Sequence, residues 1–146
     1  MKSKAHILNH PLHPMMVALP IGLWVFSLVA DVLYLLGLHA DWRIVSVFCL
    51  GGGCLGAIAA AMPGIIDYCF IDDSRTKKIA TWHMIVNIFL ICLYGFNFYL
   101  RTQYHFEIDG APFALSVVGI IFLGLSGWLG GDLVYVHKMG VVEERR

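Results

Sequence analysis

The sequence predicts an all-α integral membrane fold, an antiparallel bundle of four transmembrane helices with both termini cytoplasmic. Three observations predict it. First, 59% of the residues are hydrophobic and only 14% charged, against roughly a quarter charged in soluble domains, and the mean hydropathy is +0.76. Second, four apolar segments, Met15–Leu38, Ile44–Ile66, Thr81–Leu100 and Pro112–Val136, each reach the roughly 20 residues a helix needs to cross the hydrocarbon core. Third, the links between them are short, which forces neighbouring helices to run antiparallel. Open strands are excluded, because lipid cannot satisfy their backbone edges.

The 146 residues suit a single four-helix membrane domain, residues 1–146. The formal net charge is zero and no basic block is present, so no nucleic-acid partner is expected. Segment one carries only Asp31 as a charge. Its apolar run is too long for a signal-peptide core and lacks a small-residue cleavage motif, so it reads as a retained helix. Pro11 and Pro14 push the residues before them away from helical geometry. His10 and His13 are therefore expected on an extended lead-in, with Pro14 opening the helix.

Segments two and three contain no Asp, Glu, Lys or Arg. Segment two is rich in small residues, with Gly52 and Gly56 four apart and Gly53, Ala57 and Ala61 in the same register. Such a stripe lets another helix approach closely, or makes room for a flat cofactor. Pro20 and Pro63 should each disturb a helix by removing a backbone donor. Segment four is interrupted by Asp132 and carries Gly127, Gly130 and Gly131. The links are His39–Arg43, Asp67–Ala80 and Arg101–Ala111. Trp42, Trp82 and Tyr104 lie near segment ends, as interfacial aromatics do.

Cys49, Cys54, Cys69 and Cys92 form no Cys-x-x-Cys pair, and three of them sit in apolar runs, where a free thiol is a small hydrophobe. Orientation follows from Lys and Arg. The face with both termini and the 67–80 link holds Lys2, Lys4, Arg75, Lys77, Lys78, Lys138, Arg145 and Arg146; the other holds Arg43 and Arg101. That bias places both termini in the cytoplasm.

The same face collects His10 and His13 before segment one, His83 at the start of segment three, and His137 after segment four. Asp67 leaves segment two there as well. Imidazole ligates transition metals and haem iron. His83 with His13 or His137 is a candidate axial pair for haem b. His10 is an alternative, and Arg75, Lys77, Lys78 or Lys138 would meet propionates. A bare copper, zinc or iron ion would take His13, His83 and His137 with Asp67 or Asp132. Asp132, about 7.5 Å deeper than His137 by helical rise, suits an acceptor for an imidazole N–H. Met15, Met16, Met62 and Met84 suit copper(I) or plain apolar packing. Asn87, one turn after His83 on the same face, is expected to bridge helices. Asp31, about 25 Å along the first helix from Pro14, lies near the opposite interface and is expected to pair with a polar group there. His39 and His105 fall in loops on that side, and His6 precedes the first segment.

The stretches His10-Pro-Leu-His13-Pro14, Pro63-Gly-Ile-Ile-Asp67-Tyr68, His83 with Asn87, and Gly130-Gly-Asp-Leu-Val-Tyr-Val-His137 resemble the small bacterial membrane family known as domain of unknown function 2231. They span nearly the whole chain in order. Lys138 departs from the family's usual glycine after the last histidine. The resemblance implies a four-helix domain of the bacterial cytoplasmic membrane. It also implies electron transfer, since similar domains are joined to Rieske-like or cytochrome-like redox domains. Three functions remain in view. The protein binds haem b and passes electrons, or it binds or handles a non-haem metal, or it is a structural anchor for a redox partner. Lipid contact is expected in each case, and a homo-oligomer is compatible with all three.

Overall fold

The computed structural model describes residues 3–141. Four helical spans are long and apolar enough to cross a membrane: Leu12–Leu35, Trp42–Cys69, Ser74–Gln103 and Ala111–Val136. A two-stranded hairpin precedes them, with β1 at His6–Ile7 and β2 at His10–Pro11. Its tip, Leu8 and Asn9, has positive φ at both positions, as the tight turns favoured by hairpins require.

The first span is α1, Leu12–Met16, followed by α2, Ala18–Leu35. The break falls at Val17 for a local reason. Pro20 has no N–H to give the Met16 carbonyl, and its ring crowds that carbonyl. His13 therefore lies within α1 rather than on the extended lead-in expected from its flanking prolines. His10 does lie in extended backbone.

The next helix, α3, covers Trp42–Cys69 and continues through Pro63. The next, α4, covers Ser74–Gln103. It begins seven residues before the predicted segment, since polar Ser74–Ala80 is helical but not apolar. Asp73 caps it by accepting from the Thr76 amide at 2.7 Å, satisfying an otherwise orphaned donor. The last helix, α5, covers Ala111–Gly131 and passes into a π-helical turn at Asp132–Val136.

Packing is closest within two helical hairpins, α2 on α3 and α4 on α5. Between them lies a core of Trp24, Leu50, Val86, Leu90 and Tyr94. The small residues of α3 serve helix packing: a side chain at Gly53 would collide with Trp24, and one at Gly56 would meet Pro20 at 3.3 Å. The four cysteines are free thiols.

One end of the bundle is locked by polar groups. Arg101 was expected in a loop; it lies instead in the last turn of α4 and is fully buried, as is Asp31. Its guanidinium donates to both carboxylate oxygens of Asp31, at 2.6 and 2.8 Å. It also reaches Asn97 at 3.1 Å, the Ser46 hydroxyl at 2.7 Å, the Ser116 hydroxyl at 2.8 Å and the Pro112 carbonyl at 3.2 Å. Ser46 in turn donates to Asp31. Residues from α2, α3, α4 and α5 thus share one guanidinium. An unpaired charge here would face hydrocarbon, which explains why all the partners come from inside the bundle.

Candidate site: two facing imidazoles

The other end is built around His13 and His83. The His13 ring lies on Gly64 of α3, where an added Cβ would meet Nδ1 at 2.8 Å. Its Nδ1 is 2.7 Å from the Ala60 carbonyl. The His83 ring lies on Gly130 of α5, where a Cβ would meet Cε1 at 3.1 Å. Its Nδ1 is 3.0 Å from the Ser126 carbonyl. A carbonyl oxygen only accepts, so both Nδ1 atoms carry the proton. In each neutral ring the free lone pair is then on Nε2. Fixing the tautomer through Nδ1 is how metal-ligating histidines are held.

The two half-buried rings face each other with centroids 6.2 Å apart and planes at 86°. Two imidazoles on opposite sides of one metal, each at a metal–nitrogen distance of about 2.0–2.1 Å, would have centroids roughly 6 Å apart or a little more. Asn87 stands beside His83. Its Nδ2 reaches the His83 carbonyl at 2.7 Å, the Ser126 hydroxyl at 2.8 Å and His83 Nε2 at 3.2 Å. Two hydrogens serve the two shorter contacts, so His83 Nε2 can be released without leaving a donor unpaired. The bond to Ser126 is the interhelical bridge expected of Asn87.

The remaining site residues fall elsewhere. The expected convergence of four histidines and Asp67 reduces to one pair. His10 is exposed, its Nδ1 donating to the Leu8 carbonyl at 2.9 Å within the hairpin. His137 caps the π-helical turn and donates from Nδ1 to the Thr76 hydroxyl at 2.8 Å, because that hydroxyl gives its own hydrogen to Asp73 at 2.6 Å. Asp132 approaches His137 Nε2 only to 4.0 Å, an ion-pair distance rather than a hydrogen bond.

Asp67 is buried, and its carboxylate accepts from the Ser3 hydroxyl at 2.8 Å and the Lys4 and Ala5 amides at 2.7 and 3.0 Å. It ties the residues just before β1 to the end of α3. Among the described residues, no group of three or more His, Cys, Asp or Glu is arranged to hold a metal.

The Asp73 carboxyl, beside His137, is made more acidic by its neighbours. Hydrogen bonds from the Thr76 hydroxyl and amide, with smaller help from nearby His137 and Arg75, hold its carboxyl below the usual range. The expected haem slot also changes. Gly130 is filled by the His83 ring, whereas a side chain on Gly127 would meet nothing within 4 Å.

Sequence reasoning missed the anchors: the Ala60 and Ser126 carbonyls carry no side-chain signal. It also missed Arg101 as an interior residue. A signal for that existed in the spacing Asn97–Arg101, one turn apart, matching Ser27–Asp31.

Over residues 9–143 the chain matches the family described as predicted membrane protein (DUF2231). No curated protein and no solved structure matches it.

Proposed function

Because the chain belongs to the DUF2231 family of predicted membrane proteins, we propose a function set within the bilayer: binding haem b between His13 and His83, in the service of electron transfer. One observation carries this reading. Two imidazoles from different hairpins face each other at 6.2 Å, each anchored at Nδ1 by a backbone carbonyl. The donor set suits haem. A porphyrin supplies four nitrogens of its own, so two axial histidines suffice, whereas a bare zinc ion wants three or four protein ligands.

Bound haem would supply a one-electron couple. The protein would hold the two rings, fix their tautomers and shield the centre with apolar helices. Arg75, Lys77, Lys78 and Lys138 lie toward the same end in sequence and are the candidates to meet propionates. With Arg101 inside the bundle, the charge bias between the two faces grows. Lys2, Arg145 and Arg146 lie outside the described residues, yet Lys4, Arg75, Lys77, Lys78 and Lys138 still outnumber Arg43. By the positive-inside rule the site is cytoplasmic, in a bacterial inner membrane. A redox protein with a Rieske-like or cytochrome-like centre would be the partner.

A second reading is a bare copper, zinc or iron ion on the same pair. The two rings would then supply imidazole nitrogen to the ion, with further ligands coming from solvent or a partner. The test is an absorption spectrum of detergent-purified protein from haem-sufficient, metal-replete cells, before and after dithionite, with metal analysis on the same sample. A Soret band that shifts on reduction, lost in His13→Ala and His83→Ala but kept in His10→Ala and His137→Ala, is expected. Stoichiometric metal without a Soret band selects the second reading. A protein empty of both sinks both readings and leaves a structural anchor.

A further inference from the structure

The two hairpins follow one plan. On α1–α2 and α4, His13 and His83, Trp24 and Tyr94, Ser27 and Asn97, and Asp31 and Arg101 are each 70 residues apart. Their partners on α3 and α5 are each 66 apart: Ala60 and Ser126, Gly64 and Gly130, Gly53 and Gly119, Ser46 and Pro112. The contacts correspond as well. Each histidine gives Nδ1 to the carbonyl of its partner helix and rests on a glycine four residues further on. Each aromatic ring rests on a glycine: Trp24 on Gly53, and Tyr94 on Gly119, where a Cβ would meet the ring at 2.5 Å. Ser27 donates to the Ser46 carbonyl and Asn97 to the Pro112 carbonyl, both at 3.0 Å.

Across the bundle, residues meet their own counterparts. His13 faces His83 at 6.2 Å, Trp24 stacks on Tyr94 at 4.3 Å, and Asp31 is bound by Arg101. Several residues meeting their own equivalents is the property of a two-fold axis. A two-helix unit leaves the membrane on the face it entered, so the axis runs along the membrane normal.

We propose that the chain is two repeats of one helical hairpin, and that the axial face of each is a pairing surface with a single kind of partner. That partner is a second hairpin of the same plan bearing the opposite charge at the level of Asp31 and Arg101. A hairpin paired with its own likeness would place two carboxylates or two guanidiniums together in the apolar interior, each uncompensated. The mixed pair alone is satisfied, so the charges reject like pairing and select the other half of the chain. This pairing is independent of what the histidines bind.

The test uses full-length chains in detergent. Asp31→Arg and Arg101→Asp, singly, should give low thermal midpoints and loss of the monodisperse peak. The double reversal should regain more than half of the lost midpoint, because the repeats offer equivalent backbone surroundings at both positions. Native Arg101 uses the Ser116 hydroxyl, and the counterpart of Ser116 is Leu50, 66 residues earlier. Leu50→Ser should therefore raise the midpoint of the double reversal while lowering that of the native chain. A double reversal no better than the worse single variant, or a Leu50→Ser change that lowers both backgrounds alike, overturns the proposal. A second measurement is independent of the charges. Pro20 and Leu90 are buried and 70 apart. In a chain whose own four cysteines are replaced, Pro20→Cys with Leu90→Cys should crosslink on oxidation, and Ile21→Cys with Ile91→Cys should not. A folded chain that fails to crosslink at 20 and 90 also overturns it.

Discussion

The two ends of the bundle are assembled from corresponding positions yet differ in how their polar groups end up. At the Asp31–Arg101 end, every guanidinium hydrogen and both carboxylate oxygens have partners within the four spans. At the His13–His83 end, each ring has its Nδ1 bound to a carbonyl, and an Nε2 lone pair remains on each side of the axis. A closed network holds helices together. A pair of anchored rings with lone pairs to offer is what the proposed binding would use. The same scaffold therefore yields a lock at one end and a candidate binding site at the other.

The largest effect is expected when the lock is opened. Arg101→Met or Asp31→Asn leaves one member of a buried pair uncompensated and should cost about 3–5 kcal/mol, measured by reversible denaturation in mixed micelles. A loss under 1 kcal/mol would mean that this end is no lock. Next come the ring seats. Gly64→Ala and Gly130→Ala crowd the imidazoles, and overpacking costs about 1–3 kcal/mol. Gly64→Ala should be the worse, since its Cβ would meet the ring at 2.8 Å rather than 3.1 Å. Both should lose the ligand signal, and unchanged spectra would detach the glycines from the site.

His13→Ala and His83→Ala each remove one ring hydrogen bond, worth about 1 kcal/mol, while abolishing binding altogether. That split, a small stability cost with complete functional loss, is the reverse of what Arg101→Met should show. Asn87→Val removes an interhelical bond worth about 0.6 kcal/mol and should leave binding in place. Binding lost in this variant would make Asn87 part of the ligand set.

The smallest expected effect is acidic. The Asp73 carboxyl is held below its usual range in the fold by Thr76. Its contribution is present above the unfolded value of about 3.9. It is lost as pH falls through the lower folded value. The Thr76 amide resonance should report this titration in the acid limb, and Asp73→Asn should flatten it.

Much of this was legible in the chain. The spans, their order and their antiparallel run follow from apolar length and short links. Asp31 was expected to find a polar partner, and Asn87 to bridge helices; both do. His13 and His83 were among the candidate ligands, and they are the two the structure brings together. Other readings failed for local reasons. Arg101 looked like a loop cation because one charge ended an apolar run, yet the helix continues to Gln103. His137 and Asp67 share the right face but are taken by Thr76 and by Ser3, Lys4 and Ala5 before β1. A face is common to every helix end that reaches it, whereas a contact also requires the correct rotation about each helix axis.

By itself, then, the sequence determined a four-span membrane protein with histidines gathered toward one face, because hydrocarbon length and backbone satisfaction are local requirements. Only the tertiary structure decided that His13 meets His83, that Trp24 meets Tyr94 and that Asp31 meets Arg101. Those meetings depend on two hairpins pairing across an axis. Between the repeats the spacing is 70 residues on one set of helices and 66 on the other, and a matching local spacing such as Ser27–Asp31 and Asn97–Arg101 does not by itself say that the two meet.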